Sequence, residues 1–119
     1  SYFTPLCASY LRRITEAVPL LIKKTINDAG FNTPVITAGR IPTAEVAESV
    51  LINNEADMVA VARPILADPY WPNKSREGRE KEIVKCIYCN KCREAEGAFE
   101  EVTCFQWQKK DGSTSPPKP

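Results

Sequence analysis

Residues 34–64 read PVITAGRIPTAEVAESVLINNEADMVAVARP, and in this stretch strand, turn, helix and strand signals follow one another without a gap. Val35-Ile36-Thr37-Ala38 is an apolar run ending at Gly39, and Met58-Val59-Ala60-Val61-Ala62 is a second. Runs apolar at successive positions suit strands covered on both faces, as in parallel sheets. Between them Thr43 serves as an N-cap with Glu45 in the first turn. Val46, Ala47, Val50 and Leu51 then form one apolar stripe before Asn53-Asn54 stops the helix. The stretch reads as a βαβ unit. Right-handed crossover in such a unit sets both strand C-termini, Gly39-Arg40 and Ala62-Arg63, side by side at one sheet edge, with backbone N–H groups and two guanidinium groups near each other. An edge of that composition suits an anion.

TAGRIPTAEVAESVL (37–51) followed by ADMVAVARPILADPYWPNK (56–74) resembles the last two β/α units of the Old Yellow Enzyme family, the FMN-dependent NADH:flavin oxidoreductases and 2,4-dienoyl-CoA reductases. The resemblance covers residues 34–92 on motif and spacing. It implies an α/β fold, the C-terminal fragment of a (β/α)8 TIM barrel whose last two strands hold the FMN phosphate. By position, Gly39 and Arg40 correspond to the first phosphate-contacting pair and Ala62 and Arg63 to the second. The family commonly has Gly where this chain has Ala62, which bears on how closely that backbone N–H approaches the phosphate.

A complete barrel takes about 250 residues, whereas this chain has 119 and nothing resembling the first five strands. It reads as a partial barrel segment (1–85), a Cys-rich extension (86–107) and a disordered tail (108–119) ending DGSTSPPKP. Sixteen Lys and Arg against fifteen Asp and Glu give a net charge of +1, with the two signs interleaved, so neither a nucleic-acid footprint nor a membrane-surface patch is indicated. No apolar run approaches the ~20 residues of a membrane span, and the N-terminus lacks the pattern of a secretory signal. The expected location is cytoplasmic.

From Cys7 the apolar residues Cys7, Leu11, Ile14, Val18 and Ile22 fall on one helix face, which fits the sixth barrel helix, with Cys7 a buried small hydrophobe. Pro19 predicts a kink or a break into two helices, and Ala29-Gly30 the end of the second. After Arg63, Pro64 opens a short helix to Ala67 whose N-terminus faces the expected phosphate. Pro69-Tyr70-Trp71-Pro72 reads as an irregular aromatic segment that packs rather than stacking on flavin. Ser75 to Val84 reads as a helix capped by Ser75, weakened by Gly78.

Cys86, Cys89, Cys92 and Cys104 form a C-x2-C-x2-C-x11-C pattern, and four thiols so arranged can converge on one metal centre. Such a set, with Cys7 apart, fits a reducing compartment better than a disulfide framework. Consecutive C-x2-C-x2-C thiolates suit a [4Fe-4S] cluster with a remote fourth ligand; zinc, which needs only four thiolates in a tetrahedron, is the runner-up. The resemblance also implies a cluster, since the 2,4-dienoyl-CoA reductase branch carries one at C-x2-C-x3-C-x11-C, one residue longer between its second and third cysteines.

Two functions from different classes follow. In the first, the chain is the C-terminal part of an FMN-dependent NAD(P)H:flavin oxidoreductase or ene-reductase, acting on a small-molecule substrate with NAD(P)H as electron donor. The family's substrate-polarising His/His or His/Asn pair comes from earlier strands; the chain has no histidine, and no catalytic residue is assigned to it. In the second, it is a truncated non-catalytic remnant or a small Cys-rich metal-binding protein. Two adjacent strands cannot hide both faces, so the isolated chain is expected to self-associate through exposed barrel edges.

Overall fold

Pro5–Asp28 forms one 24-residue helix, α1, that runs through Pro19 without a break. A computed structural model of the chain describes the backbone of residues 5–109 and 112–119, and the side chains of residues 17–109 and 112–119. Of the kink or break into two helices expected at Pro19, the break does not occur. Proline removes a single hydrogen bond, a loss of about 3 kcal/mol that a long cooperative helix absorbs when the ring is packed, and Pro19 is buried. Leu11 and Ile14 lie in α1, but their side chains fall outside the described residues, as does that of Cys7. Val18 and Ile22 remain 47% and 46% exposed.

The chain divides into two units, Ser1–Val61 and Ala62–Pro119. In the first, the turn that follows α1 is made at Gly30, whose φ of +83° only glycine adopts freely. The Gly30 N–H donates to Asn27 O and the Phe31 N–H to Ile26 O, satisfying two carbonyls at the helix end. Strand β1 (Ile36–Ala38) pairs in parallel with β2 (Met58–Ala60), in register Ile36 to Met58, Thr37 to Val59 and Ala38 to Ala60. Helix α2 (Ala44–Ile52) connects them. Thr43 caps it by accepting from the Val46 N–H, and Asn54, at φ +55°, closes it with bonds from Asn54 N to Leu51 O and Glu55 N to Val50 O.

The strands are not covered on both faces as the apolar runs suggested. Thr37 is buried at 6% exposure, while Ile36 and Met58, on the opposite face, are 59% and 48% exposed. A continuous apolar run requires a second covering layer; here α1 packs on β1 and α2 on β2.

Asp57 joins the pieces of this unit. Its Oδ2 accepts the Val35 N–H at 2.8 Å, and its Oδ1 meets Lys23 Nζ, from α1, at 2.8 Å. The Asp57 and Met58 N–H groups both donate to Val35 O. One residue thus fixes the start of β1 against the start of β2 and ties α1 to both.

In the second unit, α3 (Arg63–Ala67) is followed by α4 (Trp71–Arg76), 3-10 turns at Glu80–Glu82 and Phe105–Trp107, and α5 (Lys91–Gly97) between those turns. The helix expected from Ser75 to Val84 is absent. Ser75 lies inside α4, and Gly78, at φ +71°, terminates that helix, with Gly78 N donating to Ser75 O and Arg79 N to Lys74 O. Gly78 is a C-terminal cap rather than a weak interior position. Pro72 stands in the first turn of α4, so the segment expected to be irregular is a helix start, and Trp71 is buried at 8% exposure.

This unit is built round Asp68, which is fully buried. Its Oδ1 accepts from Tyr70 N at 3.0 Å; its Oδ2 accepts from Val84 N and from Lys74 Nζ, each at 3.0 Å. Lys74 is 2% exposed and also donates to Glu82 O. Trp107 Nε1 donates to Ala67 O at 2.8 Å, pinning residues after the cysteine segment to the end of α3. Within 108–119, Gln108 and Thr114 form an antiparallel bridge, and Ser115 N donates to Trp107 O.

Two outcomes follow. The Lys23 hydrogen bond, then that from Val35, holds the Asp57 carboxyl below its ordinary value of 3.8. A carboxylate with a depressed folded-state pKa contributes stability that is fully present above the unfolded value and lost as pH falls through the folded one. Asp57→Asn should flatten the acid limb of the stability profile below about pH 4, and denaturant midpoints measured across that range check it. Lys74→Met leaves Asp68 buried without its cation and should destabilise the fold by about 3–5 kcal/mol; a change within error of zero in urea titration would show that the pair is dispensable.

Candidate functional site

Parallel pairing sets the last residue of β1, Ala38, beside the last of β2, Ala60, so both strands finish at one edge of the sheet. The chain leaves β1 through Gly39 at φ +111° and Arg40 at φ +49°. Gly39 is where a side chain would be strained, and Arg40 takes a positive φ that L-residues mostly avoid. Arg40 is half-buried, and Ile41, 5% exposed, anchors the turn before Thr43 starts α2. These residues belong to the first unit.

Ala62 and Arg63 belong to the second. Ala62 precedes α3 at φ −106°, a value open to any L-residue, so alanine in place of the family's common glycine introduces no backbone strain there. Arg63 is the first residue of α3. Its Nη1 donates to Asn90 Oδ1 at 2.7 Å, and its guanidinium carbon lies 4.9 Å from the centroid of the Tyr88 ring. Ala62, Arg63 and Leu66 line a cavity of about 480 Å³ together with Cys92, Arg93 and Glu96 of the α5 region and Val102. Arg63 and Cys92, predicted separately as phosphate and metal residues, therefore share one cavity wall.

Cys86 and Cys104 are half-buried, as is Cys92, and Cys89 is exposed; all four are free thiols. The Tyr88 N–H donates to Cys86 Sγ at 3.4 Å. Burial pushes the Cys104 thiol above its ordinary value, the Gln106 backbone N–H pulls it back, and Cys86, Cys89 and Cys92 raise it by like-charge repulsion. Gln106 also donates through its side chain to Lys85 O at 2.6 Å, closing the segment on itself. Among the described residues, no group of three or more His, Cys, Asp or Glu is gathered into a metal-holding cluster. The four clustered cysteines carry free thiols, and Cys86 Sγ accepts a backbone N–H.

Tyr88 and Asn90 escaped the sequence reading, which treated them as spacers between cysteines. Asn in a short cysteine loop was an available signal, because its side chain tolerates the left-handed conformation that Asn90 adopts at φ +63°. Nothing in the sequence marked Tyr88 as the ring on which Arg63 rests.

Residues 14–82 match the family described as NADH:flavin oxidoreductase / NADH oxidase, a span that contains Gly39, Arg40, Ala62 and Arg63 and stops short of the four clustered cysteines. Among curated relatives, the chain is 51% identical over 89 residues to an NADH oxidase of Thermoanaerobacter brockii, covering 65% of this chain and 14% of that protein. It is 32% identical over 85 residues to a cinnamate reductase of Clostridium sporogenes, covering 71% of this chain and 12% of that protein. Among solved structures, a 2-naphthoyl-CoA reductase in complex with 2-naphthoyl-CoA superposes with a TM-score of 0.62 at 31% identity, over 71% of this chain and 13% of that one. The chain thus spans about a seventh or less of each of these relatives. With the family match running through both strand ends, this chain belongs to the NADH:flavin oxidoreductase / NADH oxidase family.

Proposed function

We propose that the chain supplies the last two β/α units of a (β/α)8 barrel and, with them, the FMN-phosphate-binding strand ends of an NAD(P)H:flavin oxidoreductase or ene-reductase. The observation that carries this is the parallel register of β1 and β2, which ends both strands at one edge of the sheet, at Ala38 and Ala60. The exposed sheet face of Ile36 and Met58 fits the same reading, as a surface that the rest of a barrel, or another copy of the chain, would cover.

Gly39, free of a side chain, lets backbone approach the phosphate; Arg40 and Arg63 supply charge-assisted hydrogen bonds; Ala62 opens the turn that presents Arg63. When bound, FMN supplies the hydride chemistry, while the protein orients it. The chain has no histidine to polarise a substrate carbonyl, so that task falls to residues of the complete enzyme outside this sequence.

Cys86, Cys89, Cys92 and Cys104 would hold a [4Fe-4S] cluster, or zinc in its place, and a cluster there would supply one-electron transfer. The spacing of these four free thiols is what supports the metal assignment. The family match stops at residue 82, short of the four cysteines, and this favours, as a second reading, a Cys-rich metal-binding module that works without the flavin site.

In the protein with its barrel complete, Arg63→Ala should weaken FMN binding by about 1.5 to 3 kcal/mol, the worth of a charge-assisted hydrogen bond to phosphate. The loss should exceed that of Arg40→Ala. Equal FMN affinity for wild type and Arg63→Ala in a fluorescence titration would sink the phosphate assignment.

For the cysteines, anaerobic reconstitution with iron and sulfide, followed by elemental and sulfide analysis, should give one centre per chain. The centre should be lost in Cys89→Ser and Cys104→Ser; retention unchanged in both variants, or metal-free wild-type protein, rules the centre out.

A further inference from the structure

Two residues of the cysteine loop, Tyr88 and Asn90, hold the same side chain. Asn90 Oδ1 accepts from Arg63 Nη1 at 2.7 Å, and the Tyr88 ring lies against the guanidinium with its centroid 4.9 Å from the central carbon. Both adopt the left-handed backbone conformation, Tyr88 at φ +54° and Asn90 at φ +63°. A non-glycine residue there is uncommon, and tyrosine, unlike asparagine, has no short polar side chain to ease it. Two such residues in a run of three, both aimed at one guanidinium, mark a loop shaped for that contact rather than a passive spacer between Cys86, Cys89 and Cys92.

We infer that Tyr88 and Asn90 are positioning residues for Arg63, presetting its guanidinium to grip the phosphate of FMN. The inference rests on the phosphate assignment of Arg63 made above. The geometry suits the role. A guanidinium offers five N–H donors in a planar fork. Asn90 takes one donor on Nη1 and the Tyr88 ring covers a face, so the remaining donors in the plane stay available for bidentate bonding to phosphate oxygens. An arginine free in solution loses rotamer freedom when it binds, and one already fixed loses less, so presetting raises affinity without any contact between the loop and the ligand.

The test compares FMN with riboflavin, which lacks the phosphate, by fluorescence titration of the complete flavoprotein. Variants are Arg63→Ala, Asn90→Gly, Tyr88→Gly and Tyr88→Phe, with each glycine variant also made in the Arg63→Ala background. Glycine accepts positive φ without strain, so the loop backbone is retained while the side chain is lost. Asn90→Gly and Tyr88→Gly should each lower FMN affinity roughly three- to tenfold and leave riboflavin affinity unchanged. Tyr88→Phe, which keeps the ring, should bind FMN as wild type does. Neither glycine variant should reduce FMN affinity further once Arg63 is alanine, because a positioning residue acts only through the side chain it positions.

Full FMN affinity in both glycine variants, with a loss in Arg63→Ala, overturns the inference and leaves the phosphate assignment standing. Parallel losses of FMN and riboflavin, or losses that add to that of Arg63→Ala, overturn it too, since they report general damage to the loop. No effect of Arg63→Ala on FMN relative to riboflavin removes the phosphate assignment and this inference together.

Discussion

The first unit depends on where one carboxylate sits. Two strands of three residues make few hydrogen bonds of their own, and a parallel pair lacks the tight turn that would hold its register. Asp57 supplies the missing constraint by accepting from the Val35 backbone at the start of one strand while itself leading into the other. Lys23 brings α1 to the same carboxylate and donates to Asn54 at the end of α2, so helix, strand, strand and helix end meet at one cluster of charge and backbone. With the strand starts fixed there, their ends are fixed too, at the edge where Gly39 and Arg40 leave the sheet.

The second unit uses the same device with less water. Asp68 gathers two backbone N–H groups and the Lys74 ammonium in a buried setting. A charge that deep is tolerated only when paired and hydrogen-bonded on its remaining lone pairs, and here both conditions hold. The consequence reaches the cysteine segment, because Val84, one of the three donors, stands two residues before Cys86. At the far end Trp107 donates to Ala67. The loop that carries Tyr88 and Asn90 is therefore anchored on both sides near the helix that begins with Arg63.

Helix ends in this chain are closed largely by left-handed residues, at Gly30, Asn54, Gly78 and Phe99. The first two were legible, since glycine or asparagine after an apolar stripe is a stop signal with a mechanism. Gly78 was visible but assigned to the wrong helix. Ser75 looked like a cap because serine favours that position, whereas the actual start lies earlier, at buried Trp71 with Pro72 in the first turn. Phe99, 99% exposed at φ +57°, carried no signal, because phenylalanine is a poor choice for that conformation. Local preference decides a boundary only when no competing residue nearby buries more surface.

What the sequence determined by itself was the order of elements from Pro34 to Ala67 and the cap at Thr43. Each of these depends on residues adjacent in the chain or on the fixed periods of helix and strand, so reading along the chain recovers them. What only the tertiary structure decided was which face of the sheet is left open, which acids become anchors, and which residues hold Arg63. Ile36 and Thr37 are neighbours in one apolar run, yet one is 59% exposed and the other 6%, because a helix covers one face and the run alone cannot say which. Arg63 meets Asn90 across 27 residues of chain, and a contact of that separation is set by the folded path between its partners rather than by any local pattern in either segment.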